Sequence, residues 1–219
     1  MICYSSVDIL AFVAAATGDQ GVIEVLLEHR PQCFTREICN ELLSFAMMQG
    51  GPHDGVIEML VEQHHLADFS TRTLWSAIGC IGSVEMFDYV LAHCPLTKSQ
   101  LNTMFGPMLN QASLSNQIDL IKHYYTHHHV GNERQSLIRL RIQIKNTVIN
   151  GNLELLEYIF KIVDTKHGRG SDNVRACWKD NLVILAKTNG HDQTKMIDWL
   201  LNQLDEHNRK RIKDDLIPI

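Results

Sequence analysis

The chain has 219 residues, of which 45% are hydrophobic and 21% are charged, and its formal net charge is −5 at pH 7. This composition is typical of a folded chain and excludes extensive intrinsic disorder. The acidic balance argues against non-specific nucleic-acid binding, because such binding needs an excess of basic residues to neutralise phosphates.

The amino-terminal stretch MICYSSVDILAFVAAATGD contains an apolar run, but no Lys or Arg precedes it and Asp8 lies inside it. This pattern is not that of a secretory signal. Every apolar run in the chain is interrupted by a charged residue well before about 18 residues, so we expect no membrane insertion. The cysteines are scattered without a C-x-x-C pair, which is typical of a reducing compartment. The sequence therefore predicts an intracellular, cytoplasmic protein.

Six segments of the chain align without gaps, and they start at Gly18, Pro52, Gly82, Asn116, Gly151 and Asp192. Counted from each start, offsets +4, +5, +7, +8 and +9 are apolar at every position except His123. Offset +6 is charged in all six segments: Glu24, Glu58, Asp88, Lys122, Glu157 and Asp198. Apolar residues three and four apart around one charged residue predict a short helix with a broad buried face. We therefore expect all of these apolar offsets to be buried, including offset +8, which holds Leu26, Leu60, Val90, Tyr124, Ile159 and Leu200.

A second helix is predicted ahead of each segment, as in LAFVAAATG, ICNELLSFAMM and LWSAIGCIG. Side-chain oxygens suited to cap these helices occur at Thr35, Ser70, Thr97, Asn132 and Ser171. Thr97 also forms a capping-box pattern with Gln100. We predict an all-α fold with one solenoid domain over residues 1–219, its repeats at 1–32, 33–66, 67–96, 97–130, 131–167 and 168–206 and a carboxyl-terminal tail at 207–219.

The segments GVIEVLLEH, GSVEMFDYVLAH and GNLELLEYIF resemble the second helix of ankyrin repeats, and their spacing lies near the ankyrin period of about 33 residues. The T-P-L-H signature of the first ankyrin helix is absent from the sequence, and stretches such as CPLTKSQ replace the Gly-rich hairpins. The chain thus resembles a divergent ankyrin-repeat protein, an ankyrin-like α-solenoid of about six stacked helix-turn-helix repeats. A tetratricopeptide solenoid is an alternative, although its Trp, Gly-Tyr and Pro signature is not found.

The resemblance implies a non-catalytic module that binds another protein on its first helices and inter-repeat loops. It also implies a context such as a bacterial effector or viral factor acting on host proteins in the host cytoplasm. Residues 131–180 carry a net charge of +3, whereas residues 1–130 carry −8. Because Arg and Trp are enriched among binding hot spots, we predict that a partner with an acidic segment binds a surface formed by Trp75, Arg134, Arg139, Arg141, Lys145, Arg175 and Trp178.

Histidines are concentrated in the run HYYTHHH from His123 to His129. On a regular helix Asp119, His123 and His127 share one face, and His with Asp is a possible metal set. Offset +7 places His123 on the buried face, however, which favours a partly buried imidazole with one hydrogen bond. We therefore predict neither a structural zinc nor any other cofactor for this run. Trp199 also occupies offset +7, and we assign it to the core.

The alternative function is a small hydrolase or transferase on the helical scaffold. Cys39 or Cys177 would be its nucleophile, and His191 or another histidine its base. No local nucleophile signature and no Gly-rich phosphate loop after a strand accompany these residues. The sequence thus favours a protein that is not an enzyme.

Overall fold

The computed structural model of the protein describes residues 6–48, 54–66, 69–128, 133–167 and 194–202. Helices account for most of these residues and none of them belongs to a β-strand, which confirms the all-α fold class. The chain divides into two compact units, Met1–His128 and His129–Ile219. None of the described helices combines the length and the apolar character needed to span a bilayer.

The described residues of the first unit form four successive helix pairs. They are α1 (Ser6–Thr17) with α2 (Gln20–His29), α3 (Arg36–Met48) with α4 (Asp54–Glu58), α5 (Arg72–Ile81) with α6 (Val84–His93), and α7 (Lys98–Leu114) with α8 (Ile118–His123). A 3₁₀ turn at Pro31–Cys33 follows α2, and π-helical turns at Met59–Gln63 and Tyr124–His128 extend α4 and α8. The first helices α1, α3, α5 and α7 contact one another in chain order, and α6 contacts α8.

The second unit contains α9 (Glu133–Ile149), α10 (Leu153–His167) and α11 (Thr194–Asn202). Helix α9 packs against α10. Trp199 on α11, which the sequence assigned to the core, is half-buried, and its ring meets that of Phe160 on α10 edge to face with 5.1 Å between ring centroids. The boundary between the units falls near that between the fourth and fifth predicted repeats. The single solenoid domain and its ankyrin-like character stay predictions.

A left-handed residue joins the two helices of several pairs. Gly18, Gly82, Asn116 and Gly151 have φ values of 71°, 76°, 64° and 68°, and each is the first residue of an aligned segment. After α1 and α9 the residue that follows the left-handed glycine donates its amide to a carbonyl five residues back, as Asp19 does to Ala14 and Asn152 to Thr147. This is the Schellman arrangement, which satisfies the last helical carbonyls and turns the chain.

Side-chain caps begin many of the helices. Thr35 accepts from the amide of Ile38 at 3.4 Å, and Thr97 forms the predicted capping box with Gln100. Ser70 was the wrong residue, because the cap of α5 is its neighbour Thr71, whose hydroxyl accepts from Leu74. Asn132 and Ser171 lie outside the described residues. Caps that were not predicted occur at Asp19, Ser83 and Asn152.

Burial follows most of the aligned offsets, but the prediction is wrong for Val25 at offset +7, which is 53% exposed. At offset +8, Leu60, Val90, Tyr124, Ile159 and Leu200 are buried as predicted. Leu26 is only half-buried, because α2 packs chiefly on α1 and the following 3₁₀ turn. The charged offset +6 is exposed in every segment except that of Lys122, which is half-buried. The repeat alignment therefore identifies the buried face of the second helices.

In the first unit α5 and α7 cross closely at Gly79. A Cβ added at Gly79 would lie far inside van der Waals distance of the Met108 carbonyl oxygen and 3.0 Å from the Ala112 amide. An aromatic cluster of Trp75, Phe87, Phe105 and Tyr124 surrounds this crossing, with neighbouring ring centroids 5.0 to 6.3 Å apart. The absence of a side chain at Gly79 lets these two helices approach closely enough for the rings to interlock.

Truncation of a buried offset +8 residue should destabilise the fold. We expect Leu60→Ala or Ile159→Ala to cost about 2–5 kcal/mol of unfolding free energy through lost burial and the cavity left behind. The matched control is Val25→Ala in the first aligned segment, because Val25 is 53% exposed. This substitution should lower the unfolding free energy by less than about 0.5 kcal/mol. Urea unfolding measures all three. Equal losses for Leu60→Ala and Val25→Ala would contradict the assigned core.

A methyl group at Gly79 should also destabilise the first unit. Its nearest neighbours are backbone atoms of α7, so no side-chain rotation can relieve the overlap, and we expect Gly79→Ala to cost about 1–3 kcal/mol. Gly21→Ala is the control, because its Cβ would meet only Asp19 Oδ1 at 3.6 Å. That change should be neutral or stabilising by up to about 1 kcal/mol. Thermal unfolding compares the variants, and an unchanged melting temperature for Gly79→Ala would refute the close crossing.

Candidate functional site

Four of the seven residues predicted to bind a partner belong to α9. Arg141 and Lys145 are exposed, and Arg139 is half-buried. Arg134 is part of α9, but its side chain lies outside the described residues. The basic surface is therefore present on this helix.

Of the other three predicted residues, the structure describes Trp75 alone. Trp75 is 0% exposed, its indole N–H donates to the Phe69 carbonyl at 2.7 Å, and its ring packs against Phe87 and Phe105. A tryptophan with its polar atom satisfied inside the core is structural, so the prediction that Trp75 binds a partner is corrected. Arg175 and Trp178 lie outside the described residues.

Helix α9 exposes apolar side chains together with its basic ones. Ile138, Ile142 and Ile149 are 54%, 42% and 36% exposed, and with Lys145 they follow the spacing of one helix face. Arg141 is exposed beside Ile142. The opposite face is buried through Leu140, Gln143, Ile144, Thr147 and Val148. This exposed face of α9, formed by Ile138, Arg141, Ile142, Lys145 and Ile149, is called the α9 stripe.

Sequence reasoning missed the apolar part of the α9 stripe. Isoleucine and leucine occur around most of this helix, so periodicity alone cannot tell which of them faces the core. The tertiary structure makes the choice by burying Leu140, Ile144 and Val148. One signal in the sequence could have revealed the exposed isoleucines. Helix α9 has apolar residues on two faces, whereas a helix needs only one apolar face to pack against its neighbours.

A second group of polar side chains meets where α6 and α8 contact. Asp88 on α6 lies 2.8 Å from His123 Nε2 and 3.6 Å from His128 Nε2, measured to Oδ1. One potential ligand atom from each of the three residues lies within 4.8 Å of the other two. Their side chains are 49%, 19% and 31% exposed, for Asp88, His123 and His128 respectively. These three residues are called the Asp-His-His cluster.

The π-helical turn at Tyr124–His128 explains this grouping. A π turn bonds residues five apart, so His128 comes round to the side of the helix occupied by His123. A regular helix would instead align residues four apart, which is why the sequence suggested Asp119, His123 and His127. His127 contacts the His123 ring, and its own Nδ1 lies 3.1 Å from the His123 carbonyl oxygen. His123 is a half-buried imidazole bonded to a carboxylate, much as its offset predicted.

Phe87 lies behind both imidazoles of the Asp-His-His cluster. Its ring meets those of His123 and His128 edge to face, with centroids 5.9 and 5.2 Å away. Burial lowers the pKa of His128, and the neighbouring His123 adds to that effect, while Asp88 opposes it. The cluster therefore combines an apolar floor, two imidazoles and one carboxylate.

The cysteines offer little support for a nucleophile among the described residues. Cys39 is 0% exposed, and burial raises the pKa of its thiol to about 11. A nucleophilic cysteine needs the opposite shift, because the thiolate is the reactive form. Cys177 and His191, which complete the alternative enzyme hypothesis, lie outside the described residues.

Comparisons with known proteins place the chain in no family. No family model matches it, and no match was found among the curated proteins or the solved structures. The ankyrin resemblance consequently rests on the residues alone, and any statement about function rests on the geometry of the α9 stripe and the Asp-His-His cluster.

Proposed function

We propose that this protein is a non-catalytic, ankyrin-like binding module that holds an acidic, amphipathic segment of another protein on the α9 stripe. The observation that carries the proposal is the exposure of three isoleucines on one helix face together with Arg141 and Lys145. Exposed apolar groups on a regular element provide contact area, and the neighbouring cations select for acidic partners.

The length and side chains of the α9 stripe indicate what kind of partner segment would bind it. The stripe extends over residues 138–149, which is three turns of helix. A partner helix that presents Leu, Ile or Met residues to the isoleucines and Glu or Asp residues to Arg141 and Lys145 would match both features. The sequence of α9 has four basic residues against Glu133 as its one acidic residue, so the local field attracts such a segment before contact.

Nothing in the described residues favours the enzyme alternative. A nucleophile requires a reactive group within reach of a base and next to a cleft. Cys39 is buried with a raised pKa, and the histidines of the Asp-His-His cluster pair with a carboxylate rather than with a thiol or hydroxyl. Binding is accordingly preferred over catalysis.

The binding proposal is tested by reversing the character of the stripe. Ile138→Asp with Ile142→Asp should remove most captured partners from a cell lysate, at least about tenfold by quantitative mass spectrometry, because two buried carboxylates would face the partner's apolar side. The matched control is Ile9→Asp with Val13→Asp on α1, residues that are 56% and 54% exposed and also four apart. Both variants should keep their melting temperatures within a few degrees.

Two results would contradict this proposal. One is an unchanged set of captured proteins with the α9 variant, and the other is loss of the same proteins with the α1 control. For a partner so identified, Arg141→Glu with Lys145→Glu should slow association and flatten its salt dependence, because steering by exposed charges is screened by salt.

Thiol labelling tests the enzyme alternative separately. At pH 8 a thiol with a pKa of about 11 is about one part in a thousand thiolate, and Cys39 is also shielded from solvent. We expect iodoacetamide to modify the exposed Cys80 in the native protein and to reach Cys39 only after unfolding, as read by peptide mass mapping. Native labelling of Cys39 at the rate of Cys80 would restore it as a candidate nucleophile.

A further inference from the structure

We propose that the Asp-His-His cluster is a binding site for a zinc ion, held by Asp88, His123 and His128 with one coordination position left open. This inference does not rest on the proposed function. It replaces the sequence-based expectation that the histidine run holds no structural zinc. Asp88 was missing from that expectation because it belongs to the preceding helix pair.

The spacing of the ligand atoms suits the ion. Zinc bonds of 2.0–2.1 Å in a tetrahedron place neighbouring ligand atoms about 3.3–3.4 Å apart. The Asp88 oxygen lies 2.8 Å from one imidazole nitrogen and 3.6 Å from the other, values that bracket this edge. All three ligand atoms fall within 4.8 Å of one another. Small side-chain rotations would therefore complete the site without moving a helix.

The chemistry of the three donors also suits zinc. Two imidazoles and one carboxylate are ligands that zinc accepts, and three protein ligands with a water in the fourth position are a common zinc arrangement. All three side chains retain partial solvent exposure, so an ion can enter and a water can fill the open position.

Two independent features hold the histidines in place. The π turn at Tyr124–His128 brings His128 beside His123, and π turns inside helices are frequent at functional sites. The Phe87 ring backs both imidazoles and belongs to the aromatic core through Trp75 and Phe105. The imidazoles are thus positioned by a packed core and not only by their contact with Asp88.

A nearby pair in the same unit provides the contrast. His93 Nε2 lies 3.4 Å from Glu62 Oε1, and both side chains are about two-fifths exposed. Tyr89 donates its hydroxyl to the same carboxylate. This group has one imidazole instead of two, and it is not among the sets of three ligand-type groups found in the described residues. His93 is therefore a suitable control position for a zinc measurement.

The test is titration of the full, tag-free chain with zinc, using isothermal calorimetry and competition with a chromophoric zinc indicator. We expect one equivalent to bind, and His123→Ala and His128→Ala each to weaken binding at least about tenfold. Asp88→Asn should weaken it as well while preserving the fold, because the change is isosteric and the side chain is half exposed. His93→Ala should bind zinc like the wild type.

Thermal unfolding and cobalt provide readouts that separate zinc binding from folding. Zinc should raise the melting temperature of the wild type and of His93→Ala, because a ligand that binds only the folded state stabilises it, and the rise should vanish in Asp88→Asn. Cobalt(II) in place of zinc should give the intense visible absorption of a four-coordinate site. The proposal is overturned if no saturable equivalent binds, or if Asp88→Asn and His128→Ala bind zinc as tightly as the wild type.

Discussion

The close crossing of α5 and α7 is the contact on which the described first unit depends. Gly79 has no side chain, and a Cβ there would overlap the backbone of α7. Bringing the two backbones together in this way lets Trp75, Phe87, Phe105 and Tyr124 interlock into one aromatic cluster. A single helix pair cannot bury its own apolar face, so the contacts from α1 through α3 and α5 to α7 provide what each pair lacks.

The Asp-His-His cluster is an extension of this core. Phe87 touches Trp75 and Phe105 on its inner side and the rings of His123 and His128 on the other. The next residue, Asp88, is the exposed charged residue at offset +6 of its segment. Its carboxylate lies next to His123 and His128 of the following helix pair. The charged residue at offset +6 keeps one face of the second helix in water. In this segment that residue, Asp88, also contacts His128, because the π turn brings the His128 side chain towards it.

The α9 stripe arises in a different way. Helix α9 has apolar residues on two faces but packs against α10 with only one of them. The second apolar face remains exposed, with Arg141 and Lys145 beside it. Exposed isoleucines lower solubility unless something covers them, which is the physical basis for expecting a partner. The zinc site and the protein-binding face are consequently separate hypotheses, each resting on its own residues.

The sequence by itself determined the helical class, the described helix pairs and most of the buried offsets, since amphipathic periodicity and caps such as Thr35 and Thr97 act within a few residues of each other. It did not determine the fate of Trp75, which suits a surface anchor and a core equally well, nor which isoleucines of α9 face solvent. It also paired His123 with Asp119 instead of Asp88. These outcomes were decided by the tertiary structure, because they depend on which residues of other helices approach and on a π turn that local spacing does not reveal.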